Sequence, residues 1–109
     1  MKNLQHGDVL IKVVESIPGE SQMVQRKNGA LVVMDGELTG HRHVITAPNA
    51  QLMELVHDGK TDLYLEVTNE PVTITHEEHK AIEIPPGKYM IGRVLEYDYC
   101  TEMARNVAD

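Results

Sequence analysis

Turn signals recur along this chain at intervals too short for a long helix to form between them. Asn28-Gly29, Asp35-Gly36 and Asp58-Gly59 are dipeptides that reach positive φ at low cost and close tight hairpins. Ile17-Pro18-Gly19, Asn69-Glu70-Pro71 and Pro85-Pro86-Gly87 add further stops, since proline has no N–H to give to a ladder or a helix. The runs between them are short and rich in β-branched residues. Asp8 to Glu15 places Val9, Ile11 and Val13 on one face of a strand. Thr61 to Val67 does the same with Leu63, Leu65 and Val67, leaving Asp62, Tyr64 and Glu66 on the other face, and it forms a hairpin with Leu52 to His57 around Asp58-Gly59. Ala30 to Met34 is apolar at every position, the pattern of a strand buried on both faces. Val72 to Thr75, Ala81 to Ile84 and Lys88 to Tyr97 complete about eight short strands, so the expected fold class is all-β, a small barrel or sandwich. A helix over Ala47 to Val56, with Pro48 in its first turn, competes with the strand reading there.

The length of 109 residues suits one domain, 1–109, with Thr101 to Asp109 free of any strand pattern and expected as a flexible tail. Ten Lys and Arg stand against 17 Asp and Glu, a net charge of −7, and no basic patch interrupts the acidic balance. That disfavours nucleic acid as a partner, because phosphate backbones are held by clustered cations. No apolar run approaches the roughly 18 residues of a membrane span, and Met1 to His6 lacks the apolar stretch of a secretion leader, so a soluble cytoplasmic protein is expected. The single Cys100 has no internal disulfide partner. An exposed sheet edge at Asp8 to Glu15 allows a homodimer.

Nucleophilic catalysis has little support. The two serines, Ser16 and Ser21, share a Pro-Gly loop, Cys100 has no histidine near it in sequence, and none of the eight glycines forms a phosphate-cradling motif. The chemistry that the sequence does carry is in its histidines. Four of the six fall in two pairs, Gly40-His41-Arg42-His43 and Thr75-His76-Glu77-Glu78-His79. In a strand, residues i and i+2 share a face, so His41 and His43 present two imidazoles side by side while Arg42 faces away. His76 and His79, three apart, come together on a tight connection. Imidazole is the commonest protein ligand of Zn and also suits Fe, Ni and, less well, Mn, so the expected cofactor is a divalent transition metal, Zn first, on His41, His43, His76 and His79. Glu77 and Glu78 are the candidate catalytic residues, as general base on a metal-bound water or as acceptor for a ligand's second N–H. Glu37 is a candidate oxygen ligand, and Arg93 with Glu96 is expected to form a cross-strand ion pair. His6 and His57, beside turn residues, are expected at the surface.

The Gly40-His41-Arg42-His43 strand edge and the later Ile84-Pro85-Pro86-Gly87-Lys88-Tyr89 turn resemble the two motifs of cupins, small metal-binding β-barrels. The resemblance implies a metal held by His41 and His43. It lacks the cupin glutamate after His43, and Met90 stands where the third histidine would fall. The sequence GHxH, THEEHK and IxPPGxY is also similar to small uncharacterised bacterial and phage-encoded proteins. Two functions therefore compete: a metal-binding β protein, as an enzyme or with a structural ion, and an acidic protein-interaction module that performs no chemistry.

Overall fold

Short alternating runs separated by turns become ten strands in the computed structural model, which describes residues 3–35 and 42–93. They are β1 (Leu4–His6), β2 (Val9–Val13), β3 (Gln22–Met23), β4 (Leu31–Asp35), β5 (Arg42–Ile45), β6 (Ala50–His57), β7 (Lys60–Val67), β8 (Val72–Thr75), β9 (Ile82–Ile84) and β10 (Gly87–Arg93). A six-stranded sheet runs β1-β2-β10-β7-β6-β3 and a four-stranded sheet runs β4-β5-β8-β9, every ladder antiparallel. Among the described residues no ladder joins the two sheets into a closed barrel, and none of these residues is helical.

The inward positions follow the period of two. Val9 and Ile11 on β2, Leu52 on β6, Leu65 and Val67 on β7, and Tyr89 and Ile91 on β10 meet Leu31, Val33, Ile45, Val72, Ile74 and Ile84 of the other sheet in one core. With no Phe or Trp in the chain, aliphatic side chains and Tyr89 fill this space. Tyr89 is fully buried and its hydroxyl donates to the Pro85 carbonyl at 2.5 Å, so its polar tip is satisfied. Arg26 fixes the loops at the far end, donating from its guanidinium to the carbonyls of Gly29, Ala47 and Ala50.

Two of the three turn dipeptides read from sequence are present as expected, and the third, Asp35-Gly36, runs outside the described residues. Asn28 and Gly29 have φ of 52° and 82°, and Asp58 and Gly59 have 51° and 74°, the paired positive values of a type I′ hairpin. The Ala47–Val56 helix is replaced by β6, whose pairing with β7 runs unbroken from Ala50↔Val67 to His57↔Lys60. Two further expectations are corrected. Only Leu31 and Val33 of β4 are buried, because β4 lies at a sheet edge and exposes part of its other face. Tyr64, on the face opposite Leu65 as alternation requires, is nonetheless 8% exposed because Met53 and Met90 stand beside it across both ladders. The Asp8–Glu15 strand is not an edge: a two-residue hairpin folds β1 onto it, and β10 pairs with its other side. The Thr101–Asp109 tail and Cys100 lie outside the described residues.

Because Ile74 is wholly buried on β8 between the two sheets, Ile74→Ala should destabilise the domain by about 2–5 kcal/mol. Urea unfolding would show a lower midpoint with an unchanged slope, and a midpoint equal to that of the parent would contradict the packing described.

Candidate functional site

The register of one strand pair assembles most of the site. On β5 the buried positions are His43 and Ile45, and on β8 they are Val72 and Ile74. The ladder pairs Val44 with Thr75 and Ile45 with Ile74, so the same register carried one residue further sets His43 opposite His76. Another residue further, it sets Arg42 opposite Glu77, and the Arg42 N–H does donate to Glu77 Oε1 at 3.1 Å. The His43 and His76 ring centres are accordingly 4.4 Å apart. His79 follows on the connection from β8 to β9, with its ring centre 4.6 Å from that of His76.

The fourth ring comes from the other sheet. Leu4 pairs with Ile11 and His6 with Val9, so His6 shares the inward face of Val9 and Ile11 and is 2% exposed. This overturns its assignment to the surface. The Gly7-Asp8 turn positions it: Gly7 has φ +63°, and a Cβ there would stand 2.5 Å from His79 Nε2, so the glycine also lets the His79 ring lie against the backbone. His57, by contrast, is half exposed on the β6–β7 hairpin and bonded to Asp62, as a surface residue.

Four imidazoles therefore face one another. Their centres are separated by 4.4, 4.6, 5.0, 5.8, 5.9 and 6.5 Å, all six pairs within a narrow range. Two donors are in place: His6 Nδ1 and His43 Nδ1 lie 3.0 Å apart. His76 Nδ1 instead accepts the Glu78 N–H at 3.0 Å, and among the described residues no group of three or more His, Cys, Asp or Glu side chains is placed, as the rings stand, to hold a metal ion. The outer nitrogens of the first pair are occupied. His6 Nε2 is 2.9 Å from the Lys80 carbonyl, and His43 Nε2 is 3.3 Å from Asp8 Oδ1. Asp8 Oδ2 is in turn 3.5 Å from Arg93 Nε, so Arg93 pairs with Asp8.

Arg42 is exposed and faces away from His43, as alternation requires. Beside His76 a shallow pocket of about 340 Å³ is lined by Arg42, Val44, Thr75, His76 and Glu77. Glu77 and Glu78 are both exposed. His41, Glu37 and Glu96 lie outside the described residues.

Burial lowers the His43 pKa to about 4, helped by repulsion from His76 and His6 and opposed by Asp8. Burial also lowers that of His6, against the Lys80 carbonyl bond that favours its charged form. Both rings are neutral in the folded domain at pH 7, whereas the unfolded chain takes up protons near the ordinary value of 6.5. Between about 4 and 6.5 the unfolded state thus binds more protons, and stability falls as pH falls. Urea unfolding of metal-free protein should show this loss below pH 6.5 and none from these groups above pH 7.5, with a shallower decline in His43→Gln. A stability profile flat from pH 7 to 4.5 would contradict it.

No helix among the described residues is long and apolar enough to cross a membrane. No curated protein and no solved structure matches this chain. A family model does match, over residues 5–94, a span that holds all four clustered histidines and Asp8, and the chain therefore belongs to the family described as Domain of unknown function (DUF8820).

Proposed function

We propose that this domain binds one divalent transition-metal ion, Zn²⁺ first and Fe, Ni or Mn as alternatives, in the cluster of His6, His43, His76 and His79. The observation that carries the reading is the set of six ring separations. Four centres so spaced share a point about 3.4 Å from each, and an imidazole bound through nitrogen at roughly 2.0–2.1 Å has its centre about 3.2 Å from the ion. His41, in the HxH pair of the cupin-like version of this reading, is a further candidate ligand.

The ligands come from both sheets, His6 from the six-stranded one and the other three from the four-stranded one and its β8–β9 connection. An ion held there ties the sheets together in a domain whose core has no Phe or Trp, which favours a structural contribution. A catalytic version of the same site is favoured by the exposure of His79 and the pocket beside His76. In that version the open side admits water and Glu77 or Glu78 serves as its base. The competing acidic interaction module performs no chemistry and holds a structural ion or none.

Zinc titrated into chelator-treated protein should bind at one equivalent per chain. At a free concentration one hundred times the dissociation constant it should stabilise the fold by about 2.7 kcal/mol. His43→Ala and the pair His76→Ala with His79→Ala should weaken binding by at least tenfold, while His57→Ala leaves it unchanged. Full-length protein that folds normally and takes up no Zn, Fe, Ni or Mn would refute the proposal and leave the interaction module.

A further inference from the structure

The contacts around His6 and His43 ask for one more ring proton than two neutral imidazoles carry. Three contacts need a proton each: His6 Nε2 with the Lys80 carbonyl, His6 Nδ1 with His43 Nδ1, and His43 Nε2 with Asp8 Oδ1. A backbone carbonyl and a carboxylate only accept, and two neutral imidazoles bring two N–H groups between them. With Nε2–H of His6 committed to Lys80 and Nε2–H of His43 committed to Asp8, the two Nδ1 lone pairs face each other at 3.0 Å in a buried place. Moving the His43 proton to Nδ1 repairs that contact and sets a bare Nε2 against the carboxylate instead. No neutral arrangement satisfies all three.

A third ring proton satisfies all of them, and so does a metal cation between the two Nδ1 atoms. Two nitrogens bound tetrahedrally to Zn²⁺ stand about 3.3 Å apart, a few tenths of an ångström wider than the separation here. The outer contacts are also those of bound imidazoles, which give their second N–H to a carbonyl or a carboxylate and so have their tautomer fixed before the ion arrives. Resting on the metal-binding reading above, we infer that the ion is held through Nδ1, not Nε2, of both His6 and His43, and that Asp8 is the positioning residue that keeps the His43 proton on Nε2. Arg93 holds the other oxygen of the same carboxylate, which aims Oδ1 at His43.

Asp8 is half exposed at the hairpin turn and meets the site through His43, so its effect on the ion is indirect. Asp8→Ala removes the acceptor and should weaken Zn²⁺ binding by about 10–100-fold at unchanged one-to-one stoichiometry. Asp8→Asn keeps an acceptor oxygen in place and should recover most of that loss. Long-range ¹H–¹⁵N spectra of the full chain with Zn²⁺ supply the direct readout: His6 and His43 should each show a protonated Nε2 and a metal-shifted Nδ1. Zinc bound with a metal-shifted Nε2 on either ring, or an Asp8→Ala protein that binds as tightly as the parent, overturns this inference while metal binding itself stands. Absence of any zinc-dependent change overturns both. Should Asp8→Ala fail to fold, Asp8→Asn and the spectra of the parent decide the matter alone.

Discussion

The antiparallel register of β5 against β8 is the constraint on which the site depends. Because side chains alternate with period two, a slip of one residue would move His43 and Ile45 to the outer face together and dismantle the core and the cluster at once. Ile45, Val72 and Ile74 lock the register by burial, and the histidines then continue the same two rows beyond the apolar part. Folding energy and site geometry thus come from one ladder. The apolar positions supply the stabilisation, and the polar positions at the end of the same rows inherit their placement.

The other sheet contributes through its shortest connection. A two-residue turn with glycine first lets β1 fold back on β2, and the pairing of His6 with Val9 turns the imidazole inward beside aliphatic neighbours. Gly7 serves two purposes there, since its positive φ suits the turn and its missing side chain is where the His79 ring lies. Asp8, next in the turn, reaches His43 across the gap between sheets. Eight residues at the start of the chain therefore provide one imidazole, the surface under another and the carboxylate that meets a third.

Legibility in the sequence followed the range of the interaction involved. Hairpins closed by Asn28-Gly29 and Asp58-Gly59, and the alternating faces of β2 and β7, depend on neighbours and on period two, and both could be read directly. His43, His76 and His79 were marked by their spacing, which reports local proximity within each segment. His6 was missed because its role is fixed by a partner strand. The signal was nonetheless present, in Leu4 and His6 alternating across Gly7-Asp8 from Val9 and Ile11. For Tyr64 period two gives the face correctly but not its burial, which comes from its cross-strand neighbours Met53 and Met90. The contacts of Asp8 with His43 and Arg93, between residues 35 and 85 positions apart, leave no trace in either pattern.

Stability alone gives a poor account of the cluster. A fold seeking only to be stable would place aliphatic residues at positions 6 and 43, where the surrounding positions are Val9, Ile11 and Ile45 and nothing in the ladders calls for a polar group. Instead two imidazoles are buried nearly completely, driven toward their neutral forms by that burial, and set with more acceptors than protons. Such an arrangement costs folding free energy, because a buried polar group without its partner loses its hydration and regains nothing. Local rules are broken in this way mainly where function requires it. The violation also has a sign: two neutral rings leave the pair short of positive charge, and the carboxylate of Asp8 lies close by to balance any that arrives. A proton shared by the two rings supplies that charge, and so would the metal ion proposed above, whereas an anion would deepen the deficit.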